Sequence, residues 1–207
     1  MVSDTQYENQ GKYLDPYKYK QDEFGFKYKA HDVLHTLSFF KITKPNYGDV
    51  WNSGKLYYAE IGKQENKGVE YTFTGAVNDE LDVIGGFTYL DTKQATQDVS
   101  SNGKQVNGVP EWSGTVGLVY KPTEQLNYIV RFRYMGHSYI KNEGLKVPSF
   151  TLFDVGASYK TSLNETPVTF RAMLYNVFDK KYWNPMNSNS LAIGMPRTFT
   201  LSAEFHF

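Results

Sequence analysis

Apolar and polar residues alternate regularly at the end of the chain. Val168 and Phe170 alternate with Thr169 and Arg171, and the same alternation runs from position 199 to position 207 after a segment rich in Asn and Ser. A repeat of two residues predicts a β-strand that has one apolar and one polar face. The sequence therefore predicts two amphipathic strands joined by a long loop.

The same pattern recurs along most of the chain and predicts about nine strands with no convincing helix. Strands are expected near residues 22–29, 33–43, 56–77, 81–89, 112–120, 126–134, 153–159, 168–174 and 199–207. Short turns near 30–32, 78–80, 122–125 and 161–166 alternate with long loops near 44–55, 92–108, 140–147 and 183–195. This strict alternation predicts an all-β, antiparallel up-and-down meander, with the short turns at one end and the long loops at the other.

Three features favour the wall of a transmembrane β-barrel over a soluble sandwich. The polar faces carry Arg131, Arg133, Arg171 and Asp154, so a second packed layer is not expected on that side. The last strand ends on Phe207, and an unprotected apolar strand end invites edge pairing in a soluble domain but not in a closed barrel. Aromatic residues make up 16% of the chain, which suits strands that cover a wide apolar face.

Composition narrows the class further. The 22 Lys and Arg residues balance the 22 Asp and Glu residues, so no net charge attracts the chain to nucleic acid. No apolar run approaches the roughly 20 residues of a membrane helix. Cysteine is absent, which excludes disulfides and thiolate metal sites. The first residues show no basic and apolar signal-peptide pattern, so we expect either a cytoplasmic chain or a fragment whose beginning is missing.

No constellation of residues indicates an enzyme. The chain has four histidines, and their scattered positions do not predict a metal site, which needs several converging ligands: His31, His35, His137 and His206. Nothing resembles a nucleophile elbow or a phosphate-binding loop. We expect neither catalytic residues nor a resident cofactor.

Several short motifs resemble one family. Residues 176–182 (NVFDKKY) resemble the penultimate-strand motif of TonB-dependent outer-membrane receptors, and residues 194–199 (GMPRTF) resemble the start of that family's last strand. Residues 66–70 (NKGVE) and 20–28 (KQDEFGFKY) resemble two earlier strands, in the right order. The resemblance covers nearly the whole chain and is nearest to siderophore receptors of the ferrichrome-like, ferric-hydroxamate branch.

This resemblance implies a large plugged barrel in the outer membrane of a Gram-negative cell that imports a ferric siderophore. Residues 1–207 would supply the C-terminal part of the barrel, without the plug domain, the earlier strands or the segment that engages the TonB complex. The other partners would be outer-membrane lipids and the barrel-assembly machinery, with no nucleic acid. Iron would arrive inside the chelate, so no cofactor and no protein metal site is implied.

The candidate site residues fall into three groups. Loop aromatics could stack on a chelate, although Trp183 and its neighbour Tyr182 also suit an interfacial aromatic belt: Tyr47, Trp51, Tyr139 and Trp183. Charged residues would face the barrel lumen, where they contact the plug or a solute path or simply satisfy one another: Glu70, Arg131, Arg133, Asp154, Arg171 and Glu204. The terminal aromatics Phe205 and Phe207 resemble the assembly signal of outer-membrane proteins, and Phe207 also suits a plain lipid-facing role.

Two other functions fit the same strands. One is a stand-alone small β-barrel or β-sheet binding module without transport activity. The other is a soluble all-β carbohydrate-binding domain. A membrane location would separate the receptor fragment and the small β-barrel or sheet module from the soluble carbohydrate-binding domain.

Overall fold

The computed structural model describes residues 2–186 and 189–207 of the chain. Within these residues there are thirteen β-strands and no helix, so no helix is long and apolar enough to cross a membrane. The strands are β1 (Lys20–Ala30), β2 (Asp32–Asn52), β3 (Lys55–Asn78), β4 (Leu81–Thr96), β5 (Trp112–Tyr120), β6 (Leu126–Met135), β7 (Ser138–Ile140), β8 (Leu145–Val147), β9 (Phe150–Leu163), β10 (Thr166–Tyr175), β11 (Trp183–Pro185), β12 (Leu191–Ile193) and β13 (Thr198–Phe205).

Nine of these strands form one antiparallel sheet in the order β1-β2-β3-β4-β5-β6-β9-β10-β13. Each strand pairs with the next long strand along the chain, as a meander requires. Four short turns lie at one end of the sheet. The ribbon-like extension of β2 and β3 and the three long connections β4–β5, β6–β9 and β10–β13 lie at the other end. The predicted all-β fold and the sheet of nine strands are confirmed, but the strict alternation of short and long connections is wrong at β2–β3, where a two-residue turn replaces the predicted long loop.

The long connections contain more β-structure than the sequence pattern predicted. Residues 44–52, predicted as loop, continue β2, and β4 runs on to Thr96. The connections predicted near 140–147 and 183–195 each contain a small hairpin, β7–β8 and β11–β12. The first residues, up to Tyr19, lie outside the strands as expected, but they are packed against β3.

A two-stranded ribbon projects beyond the sheet. Strand β1 pairs with β2 only as far as Thr43, and β4 pairs with β3 only from Gly62. Residues 44–61 therefore extend past both neighbouring strands, and we call this segment the ribbon. Its tip is a tight turn in which Ser53 (φ 51°) and Gly54 (φ 78°) both take left-handed backbone conformations. Two consecutive left-handed residues are typical of the turns that favour tight β-hairpins.

The two faces of the sheet differ in chemistry, as the alternation predicted. One face carries large apolar side chains that stay exposed, such as Phe26 (57%) and Leu201 (70%). Few apolar residues are buried among those described: Val2, Val33, Ile140, Val147, Leu152 and Val168. A single sheet without a second layer leaves an apolar surface that needs a lipid or protein cover.

Candidate functional site

A polar cleft opens between the long connections. It has a volume of about 710 Å³ and lies between the ribbon, the segment after β4 and the β7–β8 turn. We call it the loop cleft. Its main lining residues are Tyr47, Asp49, Trp51, Gln94, Gln97, Asp98, Lys141 and Asn142. The volume lies within the range of small-molecule binding sites, and the lining offers both hydrogen-bond donors and acceptors.

The two predicted aromatics of the loop cleft, Tyr47 and Trp51, differ in how accessible their rings are to a ligand. Trp51 is 71% exposed near the tip of the ribbon, so its ring can stack on a ligand. Tyr47 lies between Tyr17, at 4.8 Å between ring centroids, and Tyr58, at 6.1 Å. Burial and the nearby carboxylate of Glu60 raise the pKa of Tyr47, so its phenol stays neutral. Tyr47 is held by protein contacts, whereas Trp51 is free to bind.

The two carboxylates of the loop cleft are already hydrogen-bonded within the protein. Asp49 accepts a hydrogen bond from the Tyr7 hydroxyl at 2.8 Å. Asp98 accepts hydrogen bonds from the Ser100 backbone N–H at 2.9 Å, from the Ser100 hydroxyl at 2.8 Å and from the Ser101 hydroxyl at 2.9 Å. These bonds lower the pKa of Asp98, because they stabilise its ionised form. Asp98 therefore holds the loop after β4 in shape.

The first residues of the chain support the ribbon. The side-chain amide of Asn9 donates to the Tyr58 backbone carbonyl at 2.9 Å and accepts from the Tyr58 backbone N–H at 3.1 Å. Glu8 donates its backbone N–H to Leu56 and pairs its carboxylate with Lys55 at 2.6 Å. These contacts provide partners for some of the backbone N–H and C=O groups on the edge of β3 that β4 leaves uncovered. They also fix the ribbon beyond the end of the sheet.

The other two predicted loop aromatics do not line the loop cleft. Tyr139 stacks edge-on against His137 at 5.6 Å, with the Lys146 ammonium 6.0 Å from its ring. Trp183 begins the β11–β12 hairpin, pairs with Ile193 and is 47% exposed. Their role in ligand binding stays a prediction.

Tyr182 does not fit an aromatic belt on the apolar face. Its ring packs on Phe150 with 4.2 Å between centroids. Phe150 pairs with Met135 on the same face as Arg133, which is the polar face. Tyr182 lines a polar-face cavity together with Arg133 and Glu70, so the belt interpretation of Tyr182 is wrong.

All six charged residues predicted to face the lumen share the polar face. Asp154 is fully buried and binds Arg131 through both Nε and Nη2 at 2.8 Å, and its oxygens accept from Arg133 Nη2 at 3.1 and 3.3 Å. The Arg131 guanidinium also lies 5.7 Å from the Tyr175 ring centroid. A buried carboxylate is stable when ion pairs and hydrogen bonds surround it in this way.

The remaining polar-face charges are more loosely held. Arg171 lies 3.7 Å from Glu204, and both side chains are 55% exposed. Glu70 has no ion pair within 4.0 Å in the part of the chain that the structure describes. Arg133 Nε is buried and is the one buried side-chain polar atom without a hydrogen-bond partner among the described residues. Contact of these charges with a plug or a solute stays a prediction.

Asn176 organises the end of the sheet, and the sequence reasoning did not assign it this role. Its backbone N–H donates to Asp154 at 2.8 Å, and its side-chain amide donates to the carbonyls of Lys180 and Met195 at 2.9 and 3.0 Å. Its side-chain oxygen accepts from the Lys180 N–H at 2.8 Å. The family-like motif of residues 176–182 thus joins β9, β10 and the connection to β13.

Phe205 and Phe207 lie near one another at the end of the sheet. Their rings are stacked with 6.3 Å between centroids and 14° between planes. Phe205 pairs with Val168 of β10, whereas Phe207 is fully exposed. Recognition of these two residues during membrane assembly stays a prediction.

The described residues contain no group of three or more His, Cys, Asp or Glu side chains arranged to hold a metal ion.

The chain matches the family model "TonB dependent receptor-like, beta-barrel" over residues 2–177. It belongs to the TonB-dependent receptor β-barrel family. Members of this family are outer-membrane β-barrels that act as receptors. The predicted recognition of the family is confirmed.

Three similar proteins show how far the likeness extends. The ferrichrome receptor FcuA of Yersinia enterocolitica is 28% identical over 194 residues, covering 91% of this chain and 25% of the receptor. The catecholate siderophore receptor Fiu of Escherichia coli K12 is 28% identical over 203 residues, covering 93% and 26%. The crystal structure of BauA, the ferric preacinetobactin receptor of Acinetobacter baumannii, has a TM-score of 0.82 at 35% identity, covering 97% and 31%.

The chain thus spans between a quarter and a third of the length of these three receptors.

Proposed function

We propose that the chain forms part of the wall and outer loops of an outer-membrane receptor for TonB-dependent uptake of a ferric siderophore. Membership of the receptor family supports this proposal. Three similar receptors are named for iron chelates, namely ferrichrome, a catecholate siderophore and ferric preacinetobactin. The role is transport of an intact chelate, so no catalytic residue is required.

The observation that carries the proposal is the difference in chemistry between the two faces of one sheet. The apolar face is uncovered and suits lipid, whereas the polar face is wetted and carries paired charges such as Asp154 with Arg131. All the long connections lie at one end and enclose the loop cleft of about 710 Å³. A membrane wall with a ligand-sized cleft at one rim is the arrangement expected of a receptor.

Within this arrangement the residues have separate roles. Trp51 offers an exposed aromatic ring that stacks on the organic part of the chelate, while Lys141 supplies hydrogen-bond donors from the facing turn. The ribbon holds Trp51 in place, because Asn9 fixes the uncovered edge of β3. The plug and the TonB complex would act through parts of the receptor outside residues 1–207.

The binding step is tested by the fluorescence of Trp51. In a W112F/W183F variant, Trp51 is the one remaining tryptophan of three. Saturable quenching by a ferric trihydroxamate or a ferric tris-catecholate is the expected result. In the matched W51F/W183F variant, the remaining Trp112 pairs with Tyr89 on the apolar face and should be quenched much less. Equal quenching of both variants, or quenching that does not saturate, would overturn the assignment of the loop cleft.

Transport is tested separately in cells. Deletion of the gene should abolish uptake of the radiolabelled ferric chelate that quenches Trp51, and the restored gene should recover it. If the chelate saturates the Trp51 signal while uptake is unaffected by the deletion, the chain is a binding module without transport activity. This comparison therefore separates the two leading hypotheses.

A further inference from the structure

A second cleft lies at the base of the ribbon, and Tyr47 lines both this cleft and the loop cleft. It has a volume of about 540 Å³ and opens where the first residues of the chain meet the base of the ribbon. We call it the lysine cleft. Its charged lining consists of four lysines and two carboxylates: Lys18, Lys20, Lys44, Lys63, Asp15 and Glu60.

The lysine cleft opens on the apolar face of the sheet. Along β2, alternation places Phe39, Thr43 and Tyr47 on one face, and Phe39 pairs with Phe24 and Val69. Thr43 and Tyr47 line the lysine cleft, whereas Phe24 and Phe39 belong to the exposed apolar surface below it. A molecule in this cleft therefore lies directly above the apolar face.

The lysines of this cleft lack partners within the protein. None of Lys18, Lys20, Lys44 and Lys63 has a carboxylate within 4.0 Å in residues 2–186 and 189–207. The lysines nearer the apolar surface are different, because Lys41 and Lys67 both pair with Glu65, at 2.6 and 2.7 Å. The lysine cleft therefore has four lysines without an ion pair against two carboxylates in its lining.

The height of the cleft matches the headgroup layer of a membrane. Lys20 lies four residues before Phe24 on β1, a separation of about 13 Å along the strand at ~3.3 Å per residue. A strand tilt of about 40° reduces this separation to roughly 10 Å along the membrane normal. The headgroup layer extends several Å beyond the hydrocarbon core, and lysine side chains are long enough to reach back into it.

We propose that the lysine cleft binds the phosphate headgroup of a lipid in the membrane leaflet nearest the long loops. Ammonium groups donate up to three hydrogen bonds each and form charge-assisted bonds to phosphate oxygens. The open side of the cleft faces the apolar surface, so acyl chains can pack on Phe24 and Phe39 while the phosphate meets the lysines. A free phosphate would meet the lysines but would lack the acyl-chain contacts with Phe24 and Phe39, so a lipid is expected to bind more tightly.

The proposal rests on the proposed membrane placement of the sheet, but it is independent of the imported chelate. The test uses the full chain in neutral detergent micelles and measures binding of phosphatidic acid, with phosphatidylcholine as the neutral lipid. In the variant K18Q/K20Q/K63Q the affinity for phosphatidic acid should fall about 100-fold, since each lysine near an anionic surface contributes roughly fivefold. Binding of phosphatidylcholine should be unchanged.

Matched variants make the result specific. K12Q/K27Q/K160Q removes the same charge from exposed lysines outside the cleft and should change the affinity less than about threefold. K18R/K20R/K63R keeps the charge and should retain binding. An equal loss in both glutamine variants, or no loss in K18Q/K20Q/K63Q, would overturn the lysine cleft as a lipid site.

Two further measurements are needed. The first distinguishes a lipid ligand from a soluble phosphate, and the second tests the membrane placement on which the proposal rests. Millimolar pyrophosphate should fail to displace phosphatidic acid, and complete displacement would show that the cleft binds soluble phosphate instead. Flotation of the wild-type chain with pure phosphatidylcholine liposomes reports membrane placement alone. Failure to float would contradict the proposed membrane role, whereas normal flotation with unaltered binding by K18Q/K20Q/K63Q would contradict only the lipid site.

Discussion

The backbone N–H of Asn176 donates a hydrogen bond to the buried carboxylate of Asp154 at 2.8 Å. Asp154 also binds Arg131 and Arg133 on the polar face of the sheet. One carboxylate therefore joins the wall charges to the start of the long connection between β10 and β13. The stability of this connection and the arrangement of the two arginines depend on the same group.

Replacement of Asp154 by asparagine should destabilise the chain by about 2–4 kcal/mol, because both arginines lose their counter-charge while the site stays buried. Urea unfolding of the chain refolded in detergent measures the change. D32N is the matched control, since Asp32 is 75% exposed in its ion pair with Lys29 and should matter by less than about 0.5 kcal/mol. Equal effects of D154N and D32N would contradict the structural role of Asp154.

Substitutions of Asn176 separate its hydrogen bonds from its backbone conformation. N176G keeps the left-handed conformation (φ 50°) but removes the side-chain bonds to Lys180 and Met195, so a loss of about 2–4 kcal/mol is expected. N176A should cost about 1 kcal/mol more, because alanine disfavours this conformation.

Asn164 is the control for these two variants. It has a similar backbone conformation (φ 47°) in an exposed turn, so N164G should be nearly neutral. The difference between N164A and N164G gives the conformational cost alone. If N176G unfolds in the same urea concentration as the wild type, the side-chain bonds of Asn176 contribute nothing.

Asp98 gives the loop after β4 a dependence on pH. Its pKa lies below the ordinary value because Ser100 and Ser101 bind the ionised carboxylate. The stabilisation is therefore complete above the unfolded-state pKa and is lost as the pH falls below about 4, through the lower folded-state pKa. The hydrogen-exchange protection factors of residues 97–104, which correct the rates for the pH dependence of an unprotected amide, should fall over this range.

The D98N variant tests the assignment of this pH response. Its loop should have lower protection factors at neutral pH, and these factors should change little between about pH 5 and pH 2. D4N is a matched control in the first residues of the chain and should leave exchange of residues 97–104 unaltered. An unchanged acid response in D98N would mean that another group controls the loop.

The sequence was sufficient to predict the meander, because each long strand has one apolar and one polar face and the period of two is visible in a single chain. The ribbon was missed for a physical reason. Pro45, Asn46 and Gly48 interrupt the alternation, and neither face of the ribbon is packed on a core that would select apolar residues. The signal that was available is the Ser53-Gly54 pair, which favours a tight hairpin turn.

The candidate site was predictable only in part. Trp51 and Tyr47 were selected from their position between strands, and the structure brings both to the loop cleft. The roles of Asp98 and Asn176 were not predictable, because they depend on bonds that form only once the connections have folded. Asn176 bonds to Met195, nineteen residues later, and no local pattern in the sequence reports such a contact.

The packing of Tyr182 on Phe150 depends on a glycine at position 194. A Cβ atom at Gly194 would overlap the Tyr182 ring, which packs 4.2 Å from Phe150 between ring centroids. G194A should therefore displace the ring and destabilise the chain by about 1–3 kcal/mol. In a Y182A background the same change should be nearly neutral, because the obstructing ring is gone. Urea unfolding of the wild type, both single variants and the double variant gives the coupling energy. Additive effects would mean that Gly194 is required for a reason other than the Tyr182 ring.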